Sequence, residues 1–287
     1  MYVPEQLYQY YADKTRIPTE DYSVYITHPH EDHIGGLIAV LTWYNISQIP
    51  LVLDSGFQAT TKTYRDYIAS AERRTVEYAV RGDSFLLDDN VNVTVLSPAG
   101  PQEFNDANDN SIVLRLRVCN VTFLLTGDSE APSEASILAA GFNLSSTVLK
   151  VGHHGSGTST SQAYLDAVDP EVAVMSVGEG NRYGHPHQET LDKLDAEGLA
   201  VYRTDLHGTV EITTDGVSYY VTTEKLAPGP EVAPTPGPTP SPTPATSPTP
   251  SPTPMQEAAD SGLNPYLIAA AAIIAVTAVS VIVVRRR

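Results

Sequence analysis

Three histidines and an aspartate fall within residues 28–33, in the run Thr27-His28-Pro29-His30-Glu31-Asp32-His33-Ile34-Gly35-Gly36. Side chains of these types are costly to gather unless a cation sits among them, so a fold that carries the run holds it on a rigid edge around an ion. Residues 22–27 have strand character and end where the run begins. Pro29 biases His28 to an extended conformation. In extended chain the side chains at i and i+2 share a face, so His28 and His30 converge on one ion. Asp32 and His33 then turn toward a helix expected over residues 36–44 and reach a second ion. Glu31 points away and is not expected to be a ligand.

Residues 1–226 alternate strand and helix signals. Strands are expected at 22–27, 51–54, 91–96, 112–118, 121–126, 147–151 and 172–177, with helices at 62–74, 162–168 and 189–197. Residues 210–212 and 217–221 form a closing hairpin about Asp215-Gly216. Strands in both halves with helices between them predict a layered α/β fold.

The 287-residue chain carries a formal charge of -17, which argues against broad attraction to nucleic acid or anionic lipid. An anionic substrate would therefore need locally placed cations, and a metal centre is the evident source. Cys119 is the one cysteine, so neither an internal disulfide framework nor a cysteine-rich zinc site is available. It is expected to be an ordinary hairpin residue.

Three further motifs follow the histidine run in order. They are Leu124-Leu125-Thr126-Gly127-Asp128, then Leu149-Lys150-Val151-Gly152-His153-His154-Gly155-Ser156, then Tyr183-Gly184-His185-Pro186-His187. Together with the H-x-H-x-D-H pattern of residues 28–33, they resemble the metallo-β-lactamase superfamily. More narrowly, residues 22–221 resemble the hydrolase domain attached to ComEC-type DNA-uptake channels, with the phosphorylcholine esterases as more distant relatives. The resemblance implies an αββα sandwich and two divalent metal ions, zinc first, with manganese or iron as alternatives. It implies metal ligation by His28, His30, Asp32, His33, Asp128 and His154, with Asp128 bridging the ions. Read locally, Asp128 is also placed to cap the helix that follows.

Adjacent strand residues face opposite ways, so only one of His153 and His154 is expected to meet a metal. The esterase resemblance assigns that role to His154 and leaves His153 to substrate. Asp32 and His153 are the expected catalytic residues. Asn110, Ser156, His185 and His187 are the expected substrate contacts, with Gly155-Ser156-Gly157 offering backbone donors to a phosphate oxygen. Simple loop roles stay open for Asn110, its neighbour Asn108, His185 and His187. The expected reaction is hydrolysis of a phosphodiester, nucleic acid among the candidates, by metal-bound hydroxide, since a divalent ion lowers the pKa of water from roughly 16 to about 7. A lactonase, a phosphocholine-type esterase and a non-catalytic surface-binding module are the alternatives.

Two departures from the family pattern stand out. No histidine lies between Ile34 and Gly152, which leaves the first ion His28, His30 and Asp128. The two opening strands of ComEC-like domains, with their Asp-Val-Gly-Gln-Gly-Asp motif, have no counterpart in the 27 residues before His28, so the chain is expected to be truncated at its N-terminus.

Composition changes after residue 226. Residues 227–262 form a Pro/Thr/Ser-rich linker that cycles through Thr-Pro and Ser-Pro over 228–254, where missing backbone donors forbid helix and sheet, and an extended spacer follows. Residues 263–284 are uncharged and apolar over the roughly 20 residues a bilayer crossing requires. Residues 285–287 are all arginine, which places that end in the cytoplasm. The expectation is a single-pass protein of the cell membrane with its hydrolase domain outside the cytoplasm; because residues 1–4 do not resemble a secretory signal, a tail-anchored chain with that domain in the cytoplasm is the alternative. Four N-glycosylation-type tripeptides, at Asn45, Asn92, Asn120 and Asn143, are compatible with that side.

Overall fold

The structure is a computed structural model that describes residues 23–226, apart from Gln48 and Asp89. The stalk 227–262, the apolar run 263–284, the basic tail 285–287 and the N-terminal residues 1–22 lie outside the described residues. Among the described residues no helix is long and apolar enough to cross a membrane.

Strand alternation builds the layers. Strands β1 (Ser23–Ile26), β2 (Leu51–Asp54) and β3 (Thr75–Tyr78) form a parallel sheet in that order, with Ile26 opposite Asp54. Val24, Ile26 and Val52 face helices α1 (Glu31–Trp43) and α2 (Lys62–Ala71), packing on Ile34, Leu37, Leu41 and Tyr67. Tyr25 and Leu53, one residue out of phase, point the other way.

There they meet a seven-stranded sheet. Its strands are β4 (Ser84–Asp88), β5 (Val91–Ser97), β6 (Val113–Val118), β7 (Val121–Leu125), β8 (Val148–Lys150), β9 (Val172–Met175) and β10 (Ala200–Arg203), in the order β10-β9-β8-β7-β6-β5-β4. The pairs from β4 to β7 are antiparallel hairpins, and those from β7 to β10 are parallel. Parallel neighbours need crossovers, supplied by α3 (Ala131–Ala139), α4 (Gln162–Val168) and α5 (Gln188–Ala196). Val93, Leu116 and Phe123 face Tyr25 and Leu53 between the sheets. Leu124, Leu149 and Ala173 face Ile137, Tyr164 and Leu194 of the helices. The result is helix, sheet, sheet, helix. A short helix α6 (Thr204–His207) and the hairpin β11 (Val210–Thr214) with β12 (Tyr219–Thr223) complete the described chain.

The sequence reading places most of these elements and misses three strands. β3 lies at a sheet edge with Val76 and Tyr78 exposed, so it carries no burial signature. β4 and β10 are also sheet edges, and β10 is half-buried throughout. Helix α1 starts at Glu31, five residues before the expected start. Glu31 and Asp32 in its first turn suit the helix dipole, and Gly35 and Gly36 are tolerated inside. Cys119 is exposed and unpaired in the turn between β6 and β7, as expected.

Candidate metal centre

The C-terminal ends of β1, β7, β8 and β9 come to one edge of the sandwich. β1 runs into Thr27 and His28, and the Thr27 carbonyl accepts from Ile112 N at 2.9 Å, tying the two sheets together there. β7 runs into Gly127 and Asp128, and β8 into a tight 3-10 turn, Gly152–Gly155, whose His153 N donates to the Gly127 carbonyl at 3.2 Å. Asp32 and His33 sit on the first turn of α1.

One ligand atom each from Asp32, His33, Asp128 and His154 lies within 4.8 Å of the others. Asp128 Oδ2 is the hub: His33 Nε2 donates to it at 3.1 Å, His154 Nε2 is 3.3 Å away and His28 Nε2 is 3.8 Å away. His154 Nε2 also lies 3.4 Å from Asp32 Oδ2. The rings of His28 and His30 meet with Nε2 to Nδ1 at 3.0 Å. The six residues expected as ligands are thus brought together. The gathered quartet joins Asp32 and His33, expected at the second ion, to Asp128, the expected bridge, and to His154.

A divalent ion fits this arrangement, on two observations. Asp128 Oδ1 and His154 Nε2 are buried and have no hydrogen-bond partner among the described residues, an expensive state for polar atoms. His154 Nδ1 donates to the Ser176 carbonyl at 2.6 Å, and a carbonyl only accepts. The ring proton of neutral His154 therefore sits on Nδ1, and the Nε2 lone pair faces Asp128.

Electrostatics tell the same story. Burial opposes charge on Asp128, yet His33 and His154 hold its carboxyl well below the usual range. Burial would lower His154, but Asp128 and Asp32 outweigh it and push it up to about 9. Two carboxylates beside one imidazole demand a cation, and a proton serves where no metal does. Burial and the neighbouring His33 hold His28 well below the ordinary imidazole value.

A polar scaffold aims these groups. Thr27 Oγ1 lies 3.2 Å from His28 Nδ1 and 3.1 Å from His33 Nδ1. Ser111 Oγ accepts from Asp128 N at 3.0 Å and sits 3.2 Å from His28 Nδ1. Gly127 makes room for both, with φ at 54°. A Cβ there would stand 2.9 Å from Ser111 Cβ and 3.0 Å from Thr27 Cβ. Lys150, buried beside the centre, donates to the Val151 carbonyl at 2.9 Å, and burial lowers its pKa against the pull of Asp128.

Several expectations are corrected. His153 and His154 do not alternate along a strand, because both adopt left-handed backbone angles in the 3-10 turn, with φ of 45° and 55°. His154 nonetheless reaches the cluster, while His153 Nδ1 lies 2.9 Å from Glu130 Oε1 and its Nε2 lies 3.9 Å from Asp128 Oδ2. Asn110 is fully buried and holds Phe104 and Asp106 in its own loop, so it is not presented to a substrate. Ser156 is buried against Thr158, and two of the expected backbone donors are already used, Ser156 N by the His153 carbonyl and Gly157 N by His187 Nδ1. His187 therefore braces this loop at the start of α5, whereas the ring of His185 stands 5.3 Å from His153 and 6.5 Å from His154. Burial and the adjacent His153, His187 and His154 bring His185 down to about 4.

Glu130, Thr27 and Ser111 join the site without having been expected there. Besides His153, Glu130 Oε1 receives Asn108 Nδ2 at 3.2 Å and Thr158 Oγ1 at 3.0 Å. The one sign of Glu130 in the sequence is its place two residues after Asp128.

An αββα sandwich whose strand ends gather Asp32, His33, Asp128 and His154 within 4.8 Å of one another defines a layered α/β fold with a candidate metal site. The chain belongs to the Metallo-beta-lactamase superfamily, whose family pattern matches residues 23–179 of the 287. Curated relatives include ComE operon protein 3 of Bacillus subtilis, 35% identical over 187 residues that cover 65% of this chain and 24% of that protein. Competence protein ComA of Neisseria gonorrhoeae is 37% identical over 160 residues, covering 55% of this chain and 23% of that one. Recombination protein 2 of Haemophilus influenzae is 31% identical over 187 residues, covering 65% and 21%. These relatives bear out the ComEC-type resemblance seen in the motifs. The chain spans about a quarter of the length of the curated relatives it matches.

Proposed function

We propose that this chain is a metal-dependent phosphodiesterase, acting on nucleic acid or a related anionic diester and anchored in the cell membrane by residues 263–284. The observation that carries the reading is the buried, unsatisfied pair Asp128 Oδ1 and His154 Nε2 within the His/Asp cluster. His28, His30, Asp32, His33, Asp128 and His154 would hold one or two divalent ions, with zinc, manganese and iron all compatible with imidazole and carboxylate ligands. When bound, such ions neutralise an anionic ester and acidify water. That local charge is what a chain of net charge -17 needs to accept a phosphodiester.

The protein's own groups supply the rest. Asp32, half exposed at the mouth, orients water on the solvent side. His153, paired with Glu130 at 2.9 Å, turns Nε2 toward the centre and moves a proton to the leaving oxygen. The relatives' names tie them to competence and recombination, settings in which DNA is the available diester. The apolar run with three terminal arginines supports the anchor, with the hydrolase domain outside the cytoplasm.

The test is hydrolysis of bis(p-nitrophenyl) phosphate and of a labelled DNA strand by the zinc- or manganese-loaded full chain, beside His30→Ala and Asp128→Ala. Metal-dependent turnover lost in both variants supports the reading. A metal-loaded chain inert on both diesters, yet active on a lactone or a phosphocholine ester, overturns it.

A further inference from the structure

Beside the cluster, three rings climb from the metal centre to solvent in a near-parallel ladder. His154 stacks with His185 at 6.5 Å and 17°, and His185 stacks with Tyr183 at 5.8 Å and 27°. Tyr183 ends the ladder 63% exposed. The Arg182 guanidinium lies over it, 4.9 Å from the ring centroid, and donates to its hydroxyl at 2.7 Å.

The loop does not need either side chain for its own shape. Asn181 provides that: its Oδ1 accepts from Tyr183 N at 3.2 Å and His185 N at 3.0 Å, and its Nδ2 donates to the Gly178 and His185 carbonyls at 3.1 and 2.6 Å. Arg182 and Tyr183 are thus presented outward by a turn built without them. Among the described residues the arginine ion pairs are Arg81 with Glu103 and Arg203 with Asp205, and Arg182 is in neither. A guanidinium that forms no ion pair among the described residues, though it feels Glu31 and Asp32, lies beside an exposed ring two ring steps from the cluster and matches the chemistry of a nucleic acid strand. Phosphate meets the cation and a base meets the aromatic face.

We infer that Arg182 and Tyr183 form a strand-binding subsite that holds single-stranded nucleic acid next to the scissile phosphate, Arg182 taking a neighbouring phosphate and Tyr183 stacking a base. The choice of ligand rests on the phosphodiesterase reading; the subsite itself is tested by binding.

The experiment titrates the metal-loaded full chain with a fluorescein-labelled oligothymidylate and with an abasic strand of equal length, following anisotropy. Tyr183→Ala is expected to weaken the oligothymidylate by about 5- to 100-fold and leave the abasic strand unchanged. Arg182→Ala is expected to weaken both strands and to flatten the slope of log affinity against log salt by about 0.7. Wild-type binding that neither substitution changes, or no binding of either strand, overturns the subsite. Turnover of bis(p-nitrophenyl) phosphate, too small to span the ladder, is measured alongside. Its loss would strike the catalytic reading alone, and its persistence with unchanged strand binding in the variants would strike the subsite alone.

Discussion

Asp128 Oδ2 and His154 Nε2 face each other across 3.3 Å without hydrogen-bond geometry, although both side chains are buried. The contact is that of two ligands converging on one point. With His154 pushed up to about 9, the metal-free chain keeps a proton at Nε2 near neutral pH, and a divalent ion has to displace it. Metal uptake is therefore expected to release about one proton per chain near pH 7. Calorimetry in buffers of different ionisation enthalpy measures this directly. His154→Ala should abolish the release together with most of the bound metal. Uptake with no proton release would show that His154 is not a ligand.

Glu130→Gln is expected to lower kcat by about 10- to 100-fold with KM and metal content little changed. Glutamine keeps the acceptor that Asn108 and Thr158 use, so the loop stays in place. It removes the negative charge 2.9 Å from His153 Nδ1, on which the proposed proton transfer by His153 depends. Steady-state kinetics beside metal analysis separates the outcomes. An equal loss of metal and activity would make Glu130 a structural brace and no more.

The sequence made the centre legible because its ligands come from short motifs at strand ends. His28 and His30 could be paired from the two-residue period alone, and they lie with nitrogens 3.0 Å apart. What was hidden depends on contacts between distant segments. Ser111 joins the site only because β6 lies beside β7, and Thr27 only because β1 ends against Ile112. The turn at His153 and His154 looked like strand because left-handed backbone in two consecutive histidines has no compositional sign. Asn110 and Ser156 had the residue types of a substrate site, yet their polar atoms are consumed by their own loops.

Three histidines give the metal-free chain a stability maximum. Above the ordinary imidazole value of 6.5, folded His154 keeps a proton that the unfolded chain has lost, so its contribution fades as pH rises through about 9. His28 is held below that value by burial and His33, and His185 is brought to about 4 by burial and its histidine neighbours. Both resist protons that the unfolded chain takes up, so stability also falls as pH drops below 6.5. Urea unfolding of the chelator-treated chain should peak near pH 6.5, with a loss of up to about 3 kcal/mol toward pH 9. Saturating metal should remove the alkaline loss, because the ion replaces the His154 proton. A flat profile between those pH values would contradict the pairing of His154 with Asp128 and Asp32.

Gly127→Ala tests the scaffold without touching a ligand. The backbone there has φ of 54°, and the added methyl would stand 2.9 Å from Ser111 Cβ and 3.0 Å from Thr27 Cβ. Left-handed strain and overpacking together are expected to cost about 2–4 kcal/mol of stability. The larger effect should fall on metal. Ser111 holds the Asp128 backbone at 3.0 Å and touches His28, and Thr27 touches both His28 and His33. Pushing these two aside misaligns three ligands at once, and metal affinity should drop by about 10- to 100-fold. Ser111→Ala, which removes the hydroxyl and leaves the space, should lower affinity with a smaller stability loss. Competition with a chromogenic chelator reads the affinity and urea unfolding of the metal-free chain reads the stability. If Gly127→Ala destabilises the fold while binding metal as tightly as wild type, Thr27 and Ser111 support the sandwich and do not orient the centre.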